Sequence, residues 1–314
     1  MPKIPSVDLN NFLSDDKLLR NNFVKKLGKA YNEIGFVALK GHFLNEQDIR
    51  NIYKSIKAFF NLPQDIKNKY ELEGFSGQRG YTSFGKEHAK GKEHGDLKEF
   101  WHFGQYLHDY EYSQFGYPKN IYVKEIPEFN EIGKTVYKAL EKTAIFVLRA
   151  ISLYLDLDEY HFDKHVIKGN SILRPIHYPP IITKPKGAER AAAHGDINLI
   201  TLLIGAHGKG LQVLTNKGEW IDAIAEKDEI IINVGDMLSR YTNNKLKSTI
   251  HKVVNPPKDQ WKKSRYSIPF FLHPIGNMKL NVLDSCIDKD NPKKYEDISA
   301  HDFLVQRLKE IGVL

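Results

Sequence analysis

The run His194-Gly-Asp-Ile-Asn-Leu-Ile-Thr-Leu-Leu-Ile204 decides how this chain is read. An H-x-D pair, of the residue types that ligate metals, leads straight into an apolar stretch of strand length, Ile197 to Ile204. Successive side chains of a strand point to opposite faces, so residues two apart share a face. On that alternation His194 and Asp196 converge on one point, while Gly195 points away and lets backbone approach closely.

Working outward, His251 sits in a second strand-like run, Ser248-Thr-Ile-His-Lys-Val-Val254. Two imidazoles and one carboxylate are the ligand set of a mononuclear non-haem Fe(II) oxygenase site. Such a set leaves positions open for a chelating cosubstrate and O2 together. A structural zinc site would be closed by a fourth protein ligand, often Cys, and the chain has only Cys286. Further on, Arg265-Tyr-Ser-Ile268 places Arg265 and Ser267 on one strand face, with Phe271 joining them past Pro269. A guanidinium fork matches a carboxylate, Ser267 adds a hydroxyl beside it, and Tyr178 in Arg174-Pro-Ile-His-Tyr-Pro-Pro180 is a further donor.

With these residues in view, the chain resembles the isopenicillin N synthase-like branch of the Fe(II)/2-oxoglutarate dioxygenases. H-x-D, the distal His in S-x-x-H-x-V and R-x-S are that family's pattern. Ile4-Pro-Ser-Val-Asp-Leu9, Gly35-Phe-Val37 with Gly41-His42, Gly80-Tyr81 with Asp96-Leu-Lys-Glu99, Asn233-Val-Gly-Asp236 and Thr242-Asn243 are similar to its other motifs, in the same order. The resemblance implies that His194, Asp196 and His251 bind Fe(II). It implies that Arg265, Ser267 and Tyr178 hold the distal carboxylate of 2-oxoglutarate. Many plant members carry Asn two residues before that Tyr, where this chain has Ile176. The resemblance also implies the fold: an α+β protein with a double-stranded β-helix, or jelly-roll, core. A helical N-terminal region would pack on that core, and a helix would end the chain.

The expected activity is oxidation, foremost hydroxylation, of a C–H bond in a small organic substrate, with O2 consumed and succinate and CO2 released. The alternative within the fold is a 2-oxoglutarate-independent Fe(II) oxidase, in which R-x-S holds the substrate's own carboxylate. Outside it stand a metal-assisted hydrolase tolerant of Zn(II) and a non-catalytic binding protein with a relic site. An intact five-residue set argues against the relic.

Composition agrees with a soluble enzyme of 314 residues. No stretch approaches the roughly 20 apolar residues of a membrane span, and the start has no apolar signal region. A single Cys suits a reducing compartment, so the expected location is cytoplasmic. The net charge of +7 is scattered along the chain with acids interspersed. There is no basic block, so the expectation is a small-molecule substrate, no nucleic acid, no membrane and no obligatory protein partner.

Apolar spacing predicts helices over 14–34, capped by Ser14 or Asp15, over Glu46 to Phe60, after Pro63, and over 135–155. Residues 74–99, with Gly74, Gly77, Gly80, Gly85, Gly91 and Gly95, read as a long irregular segment. Strand periodicity begins at 171, with a hairpin turning at Asn216-Lys217-Gly218 and a buried strand from Glu229 to Val234. Ser299 caps a last helix through Phe303, Leu304, Leu308 and Ile311. The division is 1–165, helical and mixed, and 166–314, the β-helix core with its terminal helix.

Other residues carry weaker expectations. His94-Gly95-Asp96 repeats H-x-D but lies in a charged stretch with no strand signal, so it is not expected to bind the metal. His177 faces away from Tyr178's side. Arg174 shares parity with Tyr178 and either reaches substrate or forms a structural ion pair. Trp101 and His102 are weighed as substrate-pocket residues against the default of a surface or core aromatic, and Gln212 and Phe271 fall where family members often line the pocket. Asn243 is read as a turn residue.

Overall fold

The computed structural model describes residues 4–72, 78–87, 95–183, 185, 187–205 and 210–310. His94, Gly74, Gly77, Gly91 and Ile311, named above, lie outside them.

The chain opens with β1 (Ser6–Asp8) and the single-turn α1 (Leu9–Leu13), then α2 (Lys17–Glu33). The cap of α2 is Asp16, not Ser14 or Asp15: its Oδ1 accepts from the amides of Leu18 and Leu19 at 2.7 and 3.3 Å. Ser14 instead closes the turn before it, accepting from the Asp16 amide. β2 (Phe36–Lys40) is followed by α3 (Glu46–Phe60) and α4 (Gln64–Asn68). Asn45 caps α3, and Ile52, Ile56, Phe59 and Phe60 form its buried stripe at helical spacing.

The segment expected to be irregular in fact holds β3 (Gly80–Thr82) and leads into β4 (Glu99–His102). Glycine and charge masked a short strand whose three residues are all buried. Next come α5 (Asp109–Phe115) and α6 (Pro127–Tyr154), longer than predicted because Pro127 opens it at the first helical position. α7 (Asp163–Val166), β5 (Ile172–Leu173) and β6 (Ile176–Tyr178) lead to β7 (Ala191–His194) and β8 (Ile200–Ile204). The hairpin β9 (Leu211–Leu214) and β10 (Trp220–Asp222) turns as expected, with Gly218 at φ 77°. β11 (Ile230–Val234), α8 (Asp236–Tyr241), β12 (His251–Val253), β13 (Arg265–Leu272) and α9 (Ala300–Glu310) complete the described chain. Ser299 caps α9, its hydroxyl oxygen accepting from the Asp302 amide at 3.1 Å.

Among the described residues the strands form two sheets. The larger runs β1-β2-β11-β8-β13-β6-β4-β3, with β5 beside β13, and the smaller runs β10-β9-β12-β7. The sheets face each other across Phe36, Ile176, Tyr178 and Ile231 from one and Ala191, Leu211, Val213 and Val253 from the other. The outer face of the large sheet, through Leu202, Ile232 and Phe270, packs on the apolar stripes of α2, α3 and α6. The molecule is therefore mixed helix and sheet. The two ladders do not join into one closed barrel, because the chain breaks its pairing where it crosses between sheets, as between β7 and β8.

Candidate active site

The metal trio assembles where the small sheet meets one of those crossings. His194 is the last residue of β7 and pairs directly with His251, the first residue of β12. Cross-strand pairing thus brings the imidazoles together, with ring centroids 4.5 Å apart. Asp196 lies beyond the strand's end, so strand alternation is not what aims it; the turn toward β8 does. Gly195 permits that turn to lie close to α8, since a Cβ there would stand 3.1 Å from Asp236 Oδ1. One ligand atom from each of His194, Asp196 and His251 lies within 4.8 Å of the others. Asp196 Oδ1 is 3.9 Å from His194 Nε2 and 3.8 Å from His251 Nε2.

Each ligand is oriented from behind. The Nδ1–H of His194 donates to the Ala192 carbonyl at 2.7 Å, and that of His251 to the Thr249 carbonyl at 3.2 Å. This fixes the tautomer and leaves both Nε2 lone pairs facing the carboxylate. Asp196 Oδ2 accepts from Thr201 Oγ1 at 2.7 Å and from Asn233 Nδ2 at 2.8 Å, which turns Oδ1 toward the imidazoles. Burial, then the neighbouring His251, lowers the His194 pKa to about 4. Burial would raise the Asp196 pKa, but His251, His194 and the Asn233 and Thr201 hydrogen bonds outweigh it and hold the carboxyl below its usual value. A buried carboxylate with imidazole Nε2 atoms at 3.9 and 3.8 Å offers an anionic oxygen and two nitrogen donors at one point, which suits a divalent cation.

The candidate carboxylate clamp, Arg265, Ser267 and Tyr178, lies on the facing sheet. Arg265 pairs with Tyr178 and Ser267 with Ile176 across the β13–β6 ladder. The Arg265 guanidinium carbon lies 5.0 Å from the Tyr178 ring centroid. Arg265 Nη1 is buried without a hydrogen-bond partner among the described residues. An orphaned guanidinium N–H beside a buried hydroxyl residue, Ser267, is what a carboxylate-binding pocket presents before its ligand is added.

The weaker expectations divide. Phe271 pairs with Thr201, which holds Asp196, and Arg174 sits 5.1 Å over its ring. Arg174 also covers Phe100 at 4.4 Å, pairs with Glu87 at 3.2 Å and donates to His102. Trp101 does not line a pocket. It is fully buried against Phe59, Tyr70, Phe103 and Phe129 on the helix side of the sheet. Its neighbours Phe100 and His102 take the other face, so the core reading holds for Trp101 and the pocket reading fails for it by strand alternation. Gln212 is corrected for the same reason. Leu211 and Val213 point inward, whereas Gln212 pairs with Lys252 and donates to Asp222 on the outer face. His177 turns away from Tyr178's side, bonded to Glu99 at 2.7 Å and Ser264 at 3.0 Å. Asp96 of the other H-x-D is buried in an ion pair with Lys98, and Asn243 takes positive φ in a turn.

Thr201 and Asn233 were missed as functional residues. The available signal was a polar residue inside each of two apolar runs, since a buried polar group needs a partner.

Comparison with known proteins agrees with this geometry. Residues 4–125 match the N-terminal family described as "non-haem dioxygenase in morphine synthesis", and residues 169–274 match the 2OG-Fe(II) oxygenase superfamily. A crystal structure of a 2OG-Fe(II) oxygenase family protein from Caulobacter crescentus is 41% identical, covers 99% of this chain and 100% of its own, and superposes with a TM-score of 0.89. A full-length Neurospora crassa protein, solved in complex with alpha-KG, is 30% identical over 98% of this chain and 96% of its own, with a TM-score of 0.85. The 2-oxoglutarate-Fe(II) type oxidoreductase ppzD of Metarhizium majus is 29% identical, with 98% of this chain and 94% of that protein covered. The chain belongs to the 2OG-Fe(II) oxygenase superfamily. It is an oxidoreductase that uses Fe(II) and 2-oxoglutarate.

Proposed function

We propose that the enzyme hydroxylates a C–H bond of a small polar organic substrate, with 2-oxoglutarate converted to succinate and CO2. The observation that carries this reading is the pairing of two half-sites on facing sheets. His194, Asp196 and His251 would hold Fe(II), and Arg265, Ser267 and Tyr178 would hold the distal carboxylate of 2-oxoglutarate. Bound together, the metal and cosubstrate supply the O2 activation that no side chain can. The protein's part is placement and exclusion of water. Thr201 and Asn233 fix Asp196, and the apolar core between the sheets shields the pocket.

Phe271, Arg174, Phe100 and His102 line the side from which substrate would approach. The Neurospora crassa protein has also been solved with thymine, and a relative from Petromyces alliaceus, 29% identical, is named a proline hydroxylase. Both favour a small polar substrate here. We place the chain in the isopenicillin N synthase-like branch, with a jelly-roll core, and in the cytoplasm; among the described residues no helix is long and apolar enough to cross a membrane.

The test is an anaerobic titration of metal-free protein with Fe(II), then 2-oxoglutarate, followed in the visible. A weak charge-transfer absorption, lost in His194→Ala, is expected and justifies a substrate screen by succinate release. Fe(II) binding with no such absorption would instead favour the 2-oxoglutarate-independent oxidase and make Arg265 a substrate anchor.

A further inference from the structure

Arg190 stands immediately before β7 and is buried, with 6% of its surface accessible. Its Nη2 donates to the Lys263 carbonyl at 3.2 Å, but its Nε is buried with no partner among the described residues. Its guanidinium carbon lies 5.8 Å from the Tyr178 ring centroid, the ring that Arg265 approaches to 5.0 Å. Two guanidinium groups therefore gather at one phenol, each with an orphaned buried N–H.

Elsewhere most buried cations are neutralised or satisfied; Arg240, whose Nε is also orphaned, donates to the Glu296 carbonyl at the exposed edge. Lys67 pairs with Glu99, Lys98 with Glu87 and Asp96, and Arg149 with Asp163. Arg79, which has no acid partner among the described residues, donates from all three nitrogens to Pro118, Gln78 and Asn170. Arg307, whose Nε is also orphaned, pairs with Asp236 and Glu310. Arg190 and Arg265 have no ion pair with a carboxylate among the described residues. Two uncompensated cations in partial burial repel each other and lose hydration. That arrangement persists at low cost only if an anion completes it.

We propose that Arg190 is a second cationic positioning residue of the cosubstrate pocket, forming with Arg265 a two-guanidinium pole for the distal carboxylate of 2-oxoglutarate. The inference rests on the assignment of Arg265 to that carboxylate. Its consequence is selectivity: Arg190 favours 2-oxo acids that carry a second carboxylate over those that do not, and it leaves the metal end alone.

The test is anaerobic titration of the Fe(II)-loaded protein with 2-oxoglutarate and with 2-oxobutyrate, which has the chelating end but no distal carboxylate. Arg190→Gln should raise the Kd for 2-oxoglutarate by roughly 10- to 100-fold, the scale of a lost charged hydrogen bond. It should leave the Kd values for 2-oxobutyrate and Fe(II) unchanged. Arg190→Lys, which keeps the charge and guards against misfolding of the Gln variant, should fall between it and the wild type. Wild-type affinity in both variants overturns the proposal, as does an equal loss for both oxo acids, the mark of a merely structural arginine. Absence of any 2-oxoglutarate response in the wild type overturns it too, and is distinguishable because the failure appears before any substitution and includes Arg265.

Discussion

Asp196 is held by neighbours that act through its second oxygen. Thr201 and Asn233 both donate to Oδ2, leaving Oδ1 for the metal side. Groups that orient a ligand are worth about 10- to 100-fold in metal affinity. Asn233→Ala and Thr201→Val should therefore each weaken Fe(II) binding by about tenfold while the protein stays folded, as read by metal titration beside circular dichroism. An unchanged affinity in both would mean that Asp196 is aimed by its backbone alone, through the bond from the Asp236 amide at 2.7 Å. At this scale the sequence was a good guide to ligands and a poor one to their supports. H-x-D and R-x-S are read from letters and spacing. Asn233 needed knowledge of which strands pair, because its partner Asp196 is remote in the chain, whereas Thr201, only five residues from Asp196, was hidden inside an apolar run. Arg190 needed more still: its nearness to Arg265 and Tyr178 arises only from the folded arrangement of the strands.

Elements explain the errors of phase. β4 alternates Phe100, Trp101 and His102 between two cores, and without a fixed register nothing in the composition says which face looks inward. Trp101 belongs to the aromatic cluster that cements α3 and α6 to the sheet. Trp101→Ala should destabilise the protein by about 3–5 kcal/mol in denaturant unfolding. It should leave the Kd for 2-oxoglutarate of the remaining folded protein near wild type. A selective loss of ligand binding with full stability would return Trp101 to the pocket. Helices were easier to read, since Ile52, Ile56 and Phe60 announce the buried face of α3 by spacing alone. Their ends were less legible: Asp16 rather than its neighbours caps α2 because only its carboxylate reaches two free amides. β3 was missed because three buried residues among glycines give too short a pattern for alternation to register.

At the scale of the whole molecule, the half-sites lie on opposite sheets, so ligands that span them tie the sheets together. Fe(II) and 2-oxoglutarate at about 100 times their Kd should each add about 2.7 kcal/mol to the unfolding free energy. A thermal-shift series with metal, cosubstrate and then chelator should show stepwise gain and reversal. The steps should vanish in His194→Ala and the second alone in Arg265→Gln. The helical first part and stranded second part seen in the sequence differ in character, yet β1 to β4 hydrogen-bond into the sheet of the second part. Val37 of β2 pairs with Ile232 of β11. During synthesis β2 and its helices emerge long before β11 is made. Loop closure of that length makes folding slow, and an unpaired strand edge invites association with other chains. The nascent protein is therefore most vulnerable to aggregation in the interval before β11 leaves the ribosome, and its yield in a cell should depend on what shields β2 until then.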